Sequence, residues 1–407
     1  MSKIAKKKAR VFVGLSPKKS LRDLTGQAGG VSKRVFVGLS GGVDSSAAAA
    51  LLKEQGYDVA GVFMRFWAEE GHRENGCCSA SAEAAARLVA AKLNIPFYVL
   101  DVEKEFKKKV VDYFLAELSL GRTPNPCVVC NPQIKFGLFL EYALKMEADY
   151  VATGHYARLK RKILNSKLEI LNKSKIQKSK IIYKLLQAKD DKKDQSYFLC
   201  GLKQKQLNRI IFPLGDYLKS EVYNLAVKQL LPYRQGESFD ICFIDDYQRF
   251  LKKYLRMKPG EIISPTNCVL GQHQGLALYT IGQRVNIGGP GPFYLVRKDV
   301  KKNILYVSNN GKDLLQKEMQ VGRINWLDGQ NPKLPLKCKI KIRYGAKEED
   351  GLISSFAQGF GRTKRANGSI NNLRILFDRP QRAITPGQSA VFYGQKGEVL
   401  GGGTIEN

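Results

Sequence analysis

Histidine is scarce in this chain, with three among 407 residues, and that leaves a structural zinc site short of ligands. Cysteine is sparse as well. Eight cysteines are too few for a secreted disulfide scaffold, and Cys77-Cys78 and Cys127-Val-Val-Cys130 are clustered rather than spread. No apolar run approaches the ~18–20 residues of a membrane span, and the Val-Phe-Val-Gly-Leu stretch near the start is too short for a signal-peptide core. The expectation is a soluble, cytoplasmic protein with no membrane partner and with thiols retained for chemistry. Acidic residues are outnumbered, 37 Asp and Glu against 67 Lys and Arg, for a net charge of +30. A surplus of that size predicts a polyanionic partner, nucleic acid first and anionic membrane second.

What remains is ordinary globular material. Apolar residues are 43% and charged residues 26% of the chain, which excludes a wholly disordered protein, and the length suits two or three domains. Arg10-Val-Phe-Val-Gly-Leu-Ser16 recurs as Arg34-Val-Phe-Val-Gly-Leu-Ser40. Only the second copy continues into a glycine loop. Residues 1–33 hold seven Lys, two Arg and one Asp and read as a basic, poorly ordered extension, a mitochondrial transit peptide being the competing reading. From 34 onward short apolar strands (35–39, 58–66, 97–102, 150–152) alternate with helical stretches (45–55, 81–93, 103–120, 134–145). That order predicts an α/β domain, a doubly wound parallel sheet. Residues 158–193 carry 13 Lys or Arg, suiting either a solvated hairpin or an RNA-facing arm. Past about 247 short strands punctuated by Gly and Pro predict a small β-rich central domain and a C-terminal β-barrel. The expected boundaries are 1–33, 34–245, 246–310 and 311–407.

Ser40-Gly-Gly-Val-Asp-Ser45 lies between an apolar strand and a helix. Its glycines allow a tight turn and close approach, its hydroxyls and helix-start amides suit phosphate oxygens, and Asp44 could hold Mg²⁺ or orient the helix start. The Gly-Lys-Ser/Thr of kinase and GTPase loops is absent. Thr123-Pro-Asn-Pro-Cys-Val-Val-Cys-Asn-Pro-Gln-Ile-Lys-Phe136 puts Cys130 just before the expected helix, where the dipole would favour thiolate. A redox pair or half a zinc site are the alternatives there. Ser238-Phe-Asp-Ile-Cys-Phe-Ile244, taken alone, reads as a buried strand carrying Cys242.

The glycine loop resembles that of the N-type ATP pyrophosphatases. With the two cysteine clusters in this order, the chain resembles the bacterial tRNA-uridine 2-sulfurtransferases, the thiouridylases of MnmA type, from about residue 33 to 404. The resemblance implies ATP with Mg²⁺, bound by Gly38, Leu39, Ser40, Gly41, Gly42, Val43, Asp44 and Ser45, with Met64 on the adenine and Gly154 near the nucleotide. It implies Cys242 as persulfide carrier and Cys130 as nucleophile, ending in a Cys130–Cys242 disulfide. Asn125, Pro126, Cys127, His155, Lys193, Asp194, Gln195, Arg343, Tyr344 and Gln388 are implied on the tRNA and target-base side. The implied partners are tRNA for Lys, Glu and Gln, a persulfide sulfur-carrier protein and an external reductant. Cys127 departs from the Asp of many members, so an iron–sulfur cluster on Cys127, Cys130 and Cys242 is the alternative. Another ATP pyrophosphatase-type synthetase and a non-enzymatic RNA-binding protein are the others.

Overall fold

In the computed structural model, residues 11–13, 32–69, 79–164, 180–234, 241–288, 291–355 and 372–406 are described. The first domain, the α/β domain, is built on β1 (Val11–Val13), β2 (Arg34–Gly38), β3 (Asp58–Arg65), β4 (Phe97–Asp101) and β5 (Tyr150–Ala152). A hairpin of β6 (Arg158–Leu164) and β7 (Lys180–Leu186) follows, then β8 (Ile210–Ile211). The sheet order is β1-β4-β3-β2-β5-β8. All neighbours are parallel except β1, which pairs antiparallel with β4.

Both faces of this sheet are covered. Val35 and Val37 pack into one core, while Phe36 between them packs into the other, as the period-2 alternation of strand side chains dictates. In the helix Val43–Glu54, Ala47–Ala50 are all buried, and their small side chains let the sheet on one side and the helix Lys219–Lys228 on the other pack close. The helix Val43–Glu54 carries Asp44 in its first turn and Lys53 in its last, the favourable sense for the helix dipole, and ends at Gly56 with φ +83°.

Two findings amend the sequence expectations. Within the stretch read as a basic extension, Val11–Val13 forms the edge strand β1; residues 1–10 and 14–31 lie outside the described residues. The helix expected from 134 begins eight residues earlier, as Pro126–Cys130 running into the π-helical Asn131–Leu138 and then Phe139–Lys145. Asn125 caps it, its Oδ1 accepting from the Cys127 N–H at 3.0 Å, and Pro126 occupies the first turn.

The central domain is a five-stranded sheet of β9 (Gly260–Ile263), β10 (Val269–His273), β11 (Arg284–Val285), β12 (Phe293–Asp299) and β13 (Ile304–Ser308), ordered β10-β9-β13-β12-β11. The last domain is a closed barrel of β14 (Leu315–Trp326), β15 (Leu336–Lys341), β16 (Glu349–Ser355), β17 (Asn372–Arg382), β18 (Ser389–Tyr393) and β19 (Val399–Ile405). On β17, Leu373, Ile375 and Phe377 fill the barrel while Arg374 and Leu376 face outward. Residues 364–369, whose Lys-Arg-Ala-Asn-Gly-Ser sequence reads as a polar hairpin loop, lie outside the described residues.

The barrel is joined to the α/β domain by an ion-pair network. The buried carboxylate of Glu117 is held by Arg122 at 3.2 Å and by Arg323 of β14 at 2.7 Å, and Arg122 also reaches Glu406 at 2.7 Å. The Lys-rich hairpin docks on the same barrel, Lys184 pairing with Glu398 at 2.7 Å.

Candidate active site

Sheet order places the site. Strand order reverses between β2 and β5, whose outgoing loops diverge to leave a crevice at the carboxyl ends, the usual ligand position in open α/β sheets. The loop after β2 is Leu39–Gly42. Gly41 adopts φ +77°, and a Cβ there would lie 2.6 Å from the Ala82 carbonyl oxygen, so glycine is required on both counts. Ser45 Oγ donates to the Gly42 carbonyl at 3.0 Å and accepts from the Ser40 N–H at 3.1 Å. Ser46 Oγ donates to the same carbonyl at 2.9 Å. Arg234 closes the turn from outside, its N–H donating to the Gly41 carbonyl at 2.8 Å.

Asp44, read in the sequence as a Mg²⁺ ligand or helix-start orienter, sits in the first turn of its helix and pairs with a lysine. Lys219 Nζ lies 2.6 and 2.7 Å from its two oxygens, and the Tyr156 hydroxyl donates to Oδ1 at 2.7 Å. An ammonium thus lies against both oxygens of the Asp44 carboxylate. Lys219 and Tyr156 were not legible as site residues, because Lys219 is 175 positions from its partner.

From the other side of the crevice, the loop after β5 brings Gly154 against the nucleotide loop. A Cβ on Gly154 would lie 2.8 Å from the carbonyl carbon of Asp44 and from the Ser45 nitrogen. The backbones therefore touch. Met64 lines the same region, its Cε 3.1 Å from where a Cβ on Gly38 would be. These small residues and loop hydroxyls, with Leu39 and Val43 buried, lie where the sequence places the nucleotide loop.

His155 follows Gly154 and is buried, its Nδ1 2.7 Å from Thr153 Oγ1, with the Phe136 and Phe212 rings around it. Burial, aided by the charge of Lys135, holds its pKa well below the ordinary value. Lys135 also acts on Cys130. That thiol is buried, and burial pushes its pKa far up; Lys135 opposes the rise, while the Cys242 and Cys127 thiols add to it. The dipole argument for Cys130 is thereby corrected: the helix starts at Pro126, so Cys127 lies in the first turn and Cys130 is a turn inside.

Cys242 and Cys127 are half-buried. Cys242 stands in a turn, not a strand, with the Ile244 N–H donating to the Ile241 carbonyl. Its neighbour Phe243 fixes that turn, with the Phe106, Phe114, Phe250 and Trp67 rings 5.6 to 6.4 Å away. Among the described residues no three His, Cys, Asp or Glu side chains converge as a metal site. Of the cysteines left unassigned in the sequence, Cys200 and Cys338 are buried and Cys268 is exposed; Cys77 and Cys78 lie outside the described residues.

The residues assigned to the tRNA side divide into two groups. Asp194, Gln195 and Gln388 spend their side chains internally. Asp194 accepts from the Ala188 and Ser196 N–H groups, and burial raises its pKa. Gln195 Oε1 accepts from the Tyr156 N–H at 3.0 Å, and Gln388 Nε2 donates to the Thr123 carbonyl at 2.7 Å. Arg343 is exposed. The Tyr344 ring lies 4.4 Å from Phe198, and the Lys193 N–H closes a turn onto the Asp190 carbonyl.

Three family models match consecutive parts of the chain: a tRNA methyl transferase HUP domain over 33–246, a tRNA methyl transferase PRC-barrel domain over 248–309, and an aminomethyltransferase β-barrel domain over 316–405. The tRNA-specific 2-thiouridylase MnmA of Symbiobacterium thermophilum is 42% identical over 399 residues, spanning 94% of this chain and 95% of that protein. The chain belongs to the MnmA family of tRNA-specific 2-thiouridylases. The family members of Geobacillus thermodenitrificans and Legionella pneumophila (strain Lens) are each 42% identical too, over 92% of this chain and 94% and 98% of theirs. The domain descriptions speak of methyl transfer, whereas these MnmA relatives are thiouridylases. Among the described residues no helix is long and apolar enough to cross a membrane.

Proposed function

We propose that this enzyme consumes ATP to convert the wobble uridine of tRNAs for Lys, Glu and Gln to 2-thiouridine. One observation carries the reading. The Gly154 backbone packs against Asp44 and Ser45, His155 follows it in the chain, and the Lys135 charge is felt by both His155 and Cys130, whose titration also responds to Cys242.

The uracil C2 oxygen is a poor leaving group. ATP is the second substrate: attack of that oxygen on the α-phosphate expels pyrophosphate, and the oxygen can later depart with AMP. The terminal sulfur of a persulfide on Cys242, delivered by a sulfur-carrier protein, attacks C2 and displaces AMP. The Cys130 thiolate then attacks the bridging sulfur, releasing 2-thiouridine and leaving a Cys130–Cys242 disulfide that an external reductant reopens. Reaching the site requires the base to leave the anticodon stack.

The test is incubation with tRNA, ATP, Mg²⁺ and a persulfide source, followed by nucleoside analysis. The expected products are 2-thiouridine, AMP and pyrophosphate in equal amounts. ADP and phosphate as the stoichiometric products would remove the adenylation step.

A further inference from the structure

Beside Cys130 lies a polar side chain that the chemistry above does not use. Asn131 is only 2% exposed. Its Nδ2 donates to the Phe198 carbonyl at 3.1 Å, while its Oδ1 is buried with no hydrogen-bond partner. The orientation of the amide is settled by its neighbour, since turning it over would set two acceptors, Oδ1 and the Phe198 oxygen, against each other. A lone buried acceptor is costly, and such groups are retained where something else supplies the donor.

The surroundings limit what that donor is. Asn131 opens the π-helical run directly after Cys130, and π-helical turns recur at functional sites. The run is braced from behind by Gln206, whose Nε2 bridges the Pro132 and Phe136 carbonyls at 2.9 and 2.7 Å. Phe198, whose carbonyl the Asn131 amide binds, and Tyr344 are half-buried rings in contact. A pyrimidine reacting at C2 next to the thiols carries N3 on the adjoining ring atom. In uracil N3 bears a hydrogen. In cytosine it bears a lone pair.

We propose that Asn131 Oδ1 accepts the N3–H of the target uridine before activation, and of the 2-thiouridine product, and so selects uracil over cytosine. This rests on the thiouridylase reading.

The experiment uses the full chain without ATP and anticodon stem-loops carrying uridine, 3-deazauridine or cytidine at the target position, comparing wild type with Asn131→Ala. 3-Deazauridine keeps the shape and lacks the N3–H donor. Wild type is expected to bind the uridine form about tenfold more tightly than the 3-deaza form, the loss of one buried hydrogen bond. In Asn131→Ala the two forms should bind equally. If that variant does not fold, Asn131→Ser takes its place with the same expectation. A preference for uridine that survives in the folded variant, or no preference in wild type, overturns the proposal, with Oδ1 then satisfied by water or structural only. Wild-type formation of 2-thiouridine is assayed in parallel. Its presence beside either failure leaves the thiouridylase reading standing, and its absence removes both.

Discussion

At Cys130 two effects compete, burial raising the thiol pKa and the Lys135 charge lowering it, and burial wins in the unliganded protein. A thiol held mostly protonated at rest suits the nucleophile role proposed for it, since it should not oxidise before substrate arrives. Cys130→Ser and Cys242→Ser are each expected to lower 2-thiouridine formation by about 10³-fold or more, while Cys127→Ser keeps much of its activity and the active protein carries no iron. Anaerobic preparation with iron analysis checks this; loss of both activity and bound iron in all three variants would establish a cluster instead. His155 supplies a pH test. Its folded pKa is depressed below the ordinary 6.5, so the unfolded chain takes up a proton that the folded one refuses. Its share of stability is whole above pH 6.5 and declines as the pH falls below, by at most about 1.4 kcal/mol per pH unit. Denaturant unfolding at pH 7.5 and 5.5 should show that decline, reduced by about one proton's worth in His155→Gln.

Among elements, the loop after β5 packs backbone to backbone on the first turn of the helix that follows β2, where Gly154 meets Asp44 and Ser45. In Gly154→Ala the new methyl meets backbone, not a flexible side chain, so the two segments must part. The expected cost is about 1–3 kcal/mol of stability with a raised KM for ATP, measured by thermal unfolding and steady-state kinetics. A second element-level device joins the helix Asp112–Ser119 to the barrel. Glu117 is buried between Arg122 and Arg323, and Arg122 directly precedes Thr123, whose N–H donates to the Pro386 carbonyl. The segment leading to the cysteines is thus pinned to the barrel. Glu117→Ala should lower stability by about 2–4 kcal/mol, because two arginines lose their common partner. Urea denaturation reads the loss.

For the whole molecule, the 67 Lys and Arg would still exceed the acidic residues by 30 if every one of the 37 Asp and Glu were paired. tRNA binding should therefore weaken steeply with salt, each phosphate contact contributing about −0.7 to −0.9 to the slope of log K against log salt. Filter binding between 50 and 200 mM salt measures it. A flat response would assign the surplus charge to something other than tRNA. Removal of residues 1–10 should weaken binding while leaving 2-thiouridine formation at saturating tRNA intact.

The strand–loop–helix at 34–54, the alternating α/β order and the β-rich C-terminal half were legible in the sequence because they rest on local periodicity and on glycines with no substitute. Two prolines hid the start of the cysteine helix: they read as loop, although Asn125 and Pro126 are a cap and a first-turn residue, and that one shift moved Cys130 from the dipole end into the interior. Val11–Val13 was legible as a repeat of a strand sequence but not as a strand, since its partner β4 lies beyond two other strands of the same sheet. The ion pair of Lys219 with Asp44, the unpaired Oδ1 of Asn131 and the internal bonds of Asp194, Gln195 and Gln388 belong to the tertiary structure alone. Each depends on which distant segment arrives at the crevice and on whether water is left there to satisfy a polar atom, and neither is encoded in the spacing of residues along the chain.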